Sequence, residues 1–474
     1  MAGAGLREDV LLCMSFAVPR TLVKLVKTAL EERDVADASR KIRIATQHDL
    51  SDYDGKYIIA STFPSSESNA ANALLDEYSL SGQVDTLIEE KAAAHNVQPL
   101  SGIEVAIREW SQGQPHLSPV EIEALISDIP KTYSIYGPML LLSQHAFQSE
   151  IWTNAINVKL YDTISKHMKV SHIAINAPIP LQNVKIAQRD SAHDANILRS
   201  PTNLTPLYGD FGPICTSSVP TAADFANAFW CHTKQNGITQ IWAPRYTMFS
   251  RGNITEKARV LGMSSVAQAV SSSPDIGCCA VDLYTGIGYF TFSYLAAGVK
   301  KVLGWDLNPW SIEGLKRGAV ANGWGVATYS AAVQNEDIPL DDETRLVAFV
   351  ESNDFTLRRI EAIRGKLPPI RHVNCGLLPS SSHSYATAAA ALDPQLGGWV
   401  HVHENFAVAE IEARAEQVQE RFQDLMQDLD NTRGFCGDAN GINRCVLIEH
   451  VQRVKSYAPG VFHCVVDVFI PAVE

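Results

Sequence analysis

Long apolar runs are missing from this 474-residue chain. None approaches the ~20 residues of a membrane-spanning helix, so no membrane role is expected. The first apolar stretch, Val10 to Val18, follows Glu8 and Asp9 in place of a basic segment, and it reads as a core strand, not a signal or transit peptide. The nine cysteines lie singly except for Cys278-Cys279, with no Cys-x-x-Cys and no Cys/His spacing suited to zinc or an iron–sulfur cluster. No metal is expected, and a reducing, cytoplasmic compartment fits best. Positive charge is also scarce: 39 Lys and Arg against 52 Asp and Glu leave a formal net charge of -13. That argues against a protein that coats DNA or RNA, but it leaves room for a local basic path.

What is present is organised around Cys278 to Trp310, CCAVDLYTGIGYFTFSYLAAGVKKVLGWDLNPW. Cys278 to Asp282 is a short apolar run, and the glycine turn after it favours a strand. Gly286 and Gly288 let the backbone bend sharply and approach a ligand, and Tyr289 to Ala297 has the length of a short helix with its N-terminus toward that ligand. Lys301 to Trp305 gives a second strand ending in Asp306, 24 residues beyond Asp282, close to the ~20-residue offset at which an acid meets a ribose hydroxyl pair. A nicotinamide fingerprint wants a third glycine, where this chain has Thr291, and a pyrophosphate sits badly beside Asp282. The ammonium of a methionine-like tail sits well beside the same carboxylate. These residues therefore read as an S-adenosylmethionine site, with Asp282, Gly286, Gly288 and Asp306 as its contacts. A tight strand-to-helix turn that holds no ligand is the other reading.

The length points to two or three domains. Residues 1–115 read as an N-terminal accessory region without legible chemistry. Ser118-Pro119 with Glu121 forms a capping box at the start of the next helix. Residues 116–240 read as a small mixed α+β domain, with Arg199 to Gly212 as a loop and Ala222 to Gln235 as a helix. Residues 241–474 read as the ligand-binding domain: strands and helices alternate after Asp306 and end in a hairpin, which suits a class I S-adenosylmethionine-dependent methyltransferase-like (Rossmann-like) α/β sheet. His401 and His403 face one side of a strand, without a third metal ligand nearby. Gln240 to Val260 is either an inter-domain linker or a segment that aims Ser250 and Lys257 at the ligand or at an RNA phosphate.

YTMFSRGNITEK (Tyr246 to Lys257), DLYTGIGYF (Asp282 to Phe290), WDLNPW (Trp305 to Trp310), HVNCGLLPSS (His372 to Ser381), VHVHENF (Val400 to Phe406) and VKSYAPGVFH (Val454 to His463) carry a resemblance over roughly residues 131–474. The chain resembles the tRNA-modifying family that joins the guanine-37 methyltransferases to the aminocarboxypropyltransferases of wybutosine synthesis. Asn374 to Ser381, NCGLLPSS, is similar to the N-L-G-L-x-P-S-S of the second branch and unlike the N-L-P of the first. The resemblance implies S-adenosylmethionine as co-substrate, held by Ser250, Lys257, Asp306 and the Ser352-Asn353 pair. Ser352 departs from the aspartate frequent there and would accept from adenine without charge assistance. The implied substrate is the anticodon loop of phenylalanine tRNA, and the implied reaction is aminocarboxypropyl transfer to carbon 7 of 4-demethylwyosine at position 37. Methyl transfer to guanine-37 and non-catalytic RNA binding are the alternatives.

Asn374, Pro379 and Ser380 end a strand where the acceptor should sit and are the candidate catalytic residues, or else a polar strand terminus. Arg245, Arg251 and Arg259 are the candidate RNA-phosphate contacts.

Overall fold

In the computed structural model, residues 10–473 are described apart from 34, 38–39, 41, 48, 79, 93–100, 154–156, 177–203, 273–274, 333–337, 339, 435–443 and 459. The chain divides into two compact units, Met1–Ser101 and Gly102–Glu474. The first holds β1 (Val10–Pro19), α1 (Val23–Glu32), β2 (Arg43–Ile44), β3 (Lys56–Pro64), α2 (Ser68–Glu77) and β4 (Asp85–Ala92). Its antiparallel sheet has the order β2-β3-β1-β4. Val26, Ala29 and Leu30 share one stripe of α1 and are buried with Phe16 and Ile59, the spacing of an amphipathic helix on a sheet.

The second unit starts earlier than the sequence implies. Its first helix, α3 (Gly102–Gln112), buries Ile103, Ala106, Ile107 and Trp110 with Leu160 and Ile164 of α5 (Val158–Met168), and α4 (Pro119–Ser127) adds Leu125. The boundary therefore falls at Ser101, because the apolar stripe of α3 is covered by this core. The capping box at Ser118 and Glu121 is formed. Strands β5 (Tyr133–Tyr136), β6 (Met139–Ser143), β7 (His172–Asn176) and β8 (Leu204–Tyr208) make a small mixed sheet in that order. Strand β8 lies inside the stretch expected as a loop; residues 199–203 of that stretch lie outside the described residues.

The expected helix Ala222 to Gln235 is divided. Only α6 (Ala222–Asn227) is helical, and β9 (Cys231–Gln235) pairs with β10 (Ile238–Trp242). Asn236 and Gly237 between them both have positive φ, as a two-residue hairpin turn demands.

Next come α7 (Ile254–Leu261), α8 (Ser264–Ser271), β11 (Cys279–Asp282), α9 (Thr291–Ala296), β12 (Lys301–Asp306), α10 (Pro309–Ala321), β13 (Gly325–Ser330), β14 (Thr344–Val350), α11 (Thr356–Ile363) and β15 (Ile370–Cys375). The chain ends with α12 (Tyr385–Ala391), β16 (Gly398–Ala407), α13 (Ile411–Arg433), β17 (Leu447–Ala458) and β18 (Val461–Ile470). Eight strands form one sheet in the order β13-β14-β12-β11-β15-β16-β18-β17. All neighbours are parallel except at β18, which runs antiparallel to both β16 and β17. This is the expected class I methyltransferase-like sheet. Strand order turns back between β11 and β15, so the crevice at their carboxyl ends is where such a sheet takes a ligand. Among the described residues, no helix is long and apolar enough to cross a membrane.

Candidate functional site

At the switch point Asp282 and Asn374 are register partners on β11 and β15. Asn374 Nδ2 donates to Asp282 Oδ1 at 3.1 Å, and Thr291 Oγ1 donates to Asp282 Oδ2 at 2.8 Å. Asp282 is 0% exposed, and burial raises its carboxyl although these donors oppose the shift. Oδ1 also accepts from Tyr284 N at 3.3 Å. This carboxylate, expected to meet the ligand's ammonium, fastens the glycine loop to β15 through the chain's own donors.

The loop turns back sharply at its two glycines, and it presents backbone and not a helix terminus at the crevice. Helix α9 starts only at Thr291, leaving Tyr289 and Phe290 in the turn. Gly286 and Gly288 have φ of 53° and 90°, and a Cβ on Gly288 would lie 2.6 Å from the Phe292 ring. Phe292 is wholly buried and cannot yield. Gly288→Ala is expected to lower stability by about 2 kcal/mol or more, from left-handed strain plus overpacking. Urea denaturation with an unchanged slope would read the loss.

Asp306 ends β12 beside this loop. Its Oδ2 accepts from Gly286 N at 3.0 Å and its Oδ1 from Asn308 N at 2.8 Å. A carboxylate has about four acceptor directions, so each oxygen keeps one, the arrangement that two vicinal hydroxyls require. Burial, only partly offset by the two backbone donors, raises its pKa to about 6.

Ser352 and Asn353 follow β14 on the next strand end. Ser352 Oγ donates to Asp354 Oδ2 at 2.7 Å, and Asn353 Nδ2 donates to Leu283 O at 3.0 Å. The pair is therefore in place, with Asn353 tied to the start of the glycine loop. Asp354 supplies a carboxylate two residues after the position where an aspartate was missing.

Ser250 and Lys257 stand on the other side of the loop. Ser250 N donates to Tyr289 Oη at 3.1 Å, Tyr289 Oη donates to Met248 O at 2.7 Å, and Ser250 Oγ accepts from Lys455 Nζ at 3.2 Å. Lys257 Nζ donates to the side-chain oxygens of Gln235 and of Gln240, the latter at 2.8 Å. Its ammonium lies 5.2 Å from the Phe249 ring centre and 5.5 Å from that of Tyr289. Burial first, and the charge of Lys455 second, lower its pKa to about 8.

Trp242 stacks on Phe249 at 4.3 Å, and Tyr136 meets Trp242 edge-on at 5.1 Å. Ile287 of the glycine loop is buried in the same cluster as Tyr136 and Trp242. The small sheet, the Ser250 segment and the ligand loop thus share one aromatic core. On the opposite flank the Tyr246 ring stacks on Trp310 at 3.8 Å, and Asn308 Nδ2 donates to Tyr246 O.

The edge that carries Pro379 and Ser380 is held by a residue that the sequence did not single out. Glu404 Oε1 accepts from Ser380 Oγ at 3.0 Å, Ser381 N at 2.9 Å and Tyr385 Oη at 2.7 Å. Asn405 N donates to Pro379 O at 3.0 Å. Pro379 and Ser380 are thereby held against β16, while Asn374 is held by Asp282. No signal in the sequence links Glu404 to them across two dozen residues.

The arginine candidates separate. Arg251 is exposed, and Nη1 donates to the neutral Ser134 Oγ at 2.9 Å. Arg245 lies 5.7 Å over the Phe211 ring, and its buried Nε has no hydrogen-bond partner among the described residues. Arg259 is corrected: its guanidinium is forked onto Asp467, with Nη1 at 2.5 Å and Nη2 at 3.1 Å, and onto Glu256, and its side chain is 19% exposed. It is spent inside the fold. His401 and His403 belong to two different pairs, His401 with His372 and Asp467, and His403 with His463.

No family model matches the chain. It is similar to tRNA wybutosine-synthesizing protein 2 of Schizosaccharomyces pombe, 37% identical over 348 residues that make up 72% of each chain. The protein of the same name from Saccharomyces cerevisiae is 32% identical over 390 residues, 73% of this chain and 75% of that one. Among solved structures, P. horikoshii TYW2 in complex with MeSAdo overlaps 78% of this chain and 99% of its own at 17% identity, with a TM-score of 0.47.

Proposed function

Since this chain belongs to the tRNA wybutosine-synthesizing protein 2 family, we propose that it is a transferase acting on tRNA with S-adenosylmethionine as co-substrate. The group moved is the 3-amino-3-carboxypropyl arm, and the acceptor is carbon 7 of 4-demethylwyosine at position 37 of phenylalanine tRNA. The supporting observation is Asp306 at the switch-point crevice, with one acceptor direction open on each oxygen beside the glycine loop. Its carboxylate takes the two ribose hydroxyls, Ser352 and Asn353 border the adenine, and Ser250 with Lys257 stands at the far end of the donor.

The sulfonium of the donor supplies a leaving group on any of its three carbons. What the chain adds is choice and placement: Asn374 and the Pro379-Ser380 edge, fixed by Asp282 and Glu404, seat the flat acceptor base in line with the carbon to be transferred. Arg251 and Arg245 lie on the RNA side of the Ser250 segment. The cytoplasm is the proposed compartment.

The test incubates the protein with S-adenosylmethionine and phenylalanine tRNA carrying 4-demethylwyosine, and follows nucleoside and by-product by mass spectrometry. An aminocarboxypropyl gain with methylthioadenosine is expected. A methyl gain with S-adenosylhomocysteine would overturn the reading.

Donor affinity is expected to fall as pH drops through about 6, because protonated Asp306 donates where an acceptor is needed. The fold responds with the opposite sign at this residue. With the folded pKa above the ordinary 3.8, the native state binds more protons over that window, and acid favours it. Calorimetric titration between pH 5 and pH 8, set beside melting curves, separates the two. Arg251→Ala is expected to weaken tRNA binding several-fold and to make its salt dependence shallower by about one phosphate contact, read by filter binding across a salt series.

A further inference from the structure

Val454 to Ala458 of β17 and Val461 to His463 of β18 lie at the turn end of their hairpin. Lys455 is the register partner of His463, and His463 is the partner of Asn405 on β16. Directly paired residues share a face of a sheet, so three polar side chains form one row at the carboxyl edge.

Lys455 Nζ donates to Ser250 Oγ and lies against Gly252, where an added Cβ would come within 3.0 Å of it. The ammonium is half-buried and, among the described residues, pairs with no carboxylate; burial alone lowers its pKa. Lys257 is near enough to feel its charge. Two ammonium groups thus lie near one another, and each donates only to neutral oxygens among the described residues.

The neighbouring polar atoms are orphaned as well. Among the described residues, His463 Nδ1, His403 Nε2 and both amide atoms of Asn405 have no hydrogen-bond partner, although His463 and His403 are 0% and 2% exposed. Buried polar groups that the chain leaves unpaired are rare, and they are completed by ordered water, an ion or a ligand. His403 Nδ1 and His463 Nε2 share one hydrogen bond at 2.9 Å. Whichever neutral ring donates, the pair keeps one free N–H and one free lone pair. A zwitterionic amino acid presents one acceptor group and one donor group.

We infer that Lys455, beside Ser250 and Lys257, is the seat of the carboxylate of the donor's amino-acid arm, with His463 and Asn405 completing the polar wall. The inference rests on S-adenosylmethionine being the donor. Lysine suits a compact anion as a point charge. Anchoring the far end of the arm fixes the position of its γ-carbon, and so decides which of the three sulfonium carbons meets the acceptor. Lys455 is in this sense a specificity residue.

The test is calorimetric binding of S-adenosylmethionine and of methylthioadenosine, which lacks the arm, to the full-length protein. Lys455→Met is expected to weaken S-adenosylmethionine about 10- to 100-fold, the range of a lost charge-assisted hydrogen bond, and to leave methylthioadenosine unchanged. Lys455→Arg is expected to recover part of the loss. Should Lys455→Met not fold, Lys455→Gln keeps a hydrogen-bonding group without the charge and carries the same comparison. Equal weakening of both ligands would overturn the inference in favour of a role in shaping the loop. Unchanged donor binding with weaker, less salt-sensitive tRNA binding would overturn it in favour of a phosphate contact. Wild-type protein that binds neither ligand would overturn the inference together with the donor on which it rests.

Discussion

Asp306→Ala is expected to weaken S-adenosylmethionine binding about 100-fold, from two hydroxyl-to-carboxylate hydrogen bonds at roughly 1.5 kcal/mol each. The fold should tolerate the change. Its carboxylate accepts only two backbone N–H groups, Gly286 and Asn308, and its pKa is raised to about 6 by burial, so removing it also removes a charge that opposes folding at neutral pH. Melting temperature close to wild type, with donor affinity lost in calorimetry, is the expected pair of results. Asp306→Asn should fall between, because the amide can accept from one backbone group but places its own N–H toward the other. Near-normal affinity in Asp306→Ala would place the ribose elsewhere and remove the main support for the donor site.

Asp467→Ala should give the largest loss of stability, about 3–5 kcal/mol, the cost of leaving one member of a buried ion pair alone. Arg259 is forked onto Asp467, and His401 Nδ1 shares a 2.7 Å hydrogen bond with Asp467 Oδ1. Burial by itself would raise the Asp467 carboxyl, but His401 and Arg259 outweigh it and hold the carboxyl well below the ordinary range. For a depressed acid the stabilisation is complete above the unfolded value of about 4 and is lost as pH falls toward the lower folded value. The gap between wild type and variant in urea denaturation should therefore be full at pH 7 and begin to close below about pH 4. A loss under about 1 kcal/mol at pH 7 would mean that Glu256 alone suffices for Arg259.

The sequence disclosed the sheet because its cues are local. A strand, a glycine turn and an acid 24 residues on depend on backbone geometry within one βαβ unit, and Gly286, Gly288 and Asp306 met in space as read. Asn236-Gly237 was equally local and was missed, since a helical window across Ala222 to Gln235 outweighed a two-residue turn signal. Arg259 and Asp282 show the limit of charge as a cue. An arginine 208 residues from its aspartate looks free in sequence, and an acid beside a glycine turn does not announce that Asn374 and Thr291 donate to it. Glu404 and Lys455 could not be selected at all, because their importance comes from partners that only the long crossovers of a parallel sheet bring near.

The stacked rings of Trp242 and Phe249, with Tyr136 edge-on to both and Ile287 buried in the same cluster, set a length. Aromatic rings have fixed thickness and close-packed cores resist compression, so the small sheet cannot drift against the glycine loop by a fraction of a ring. The spacing between the small sheet and the glycine loop is thereby held as by a calliper. Trimming one jaw at Trp242 should spoil the distance before it spoils either grip.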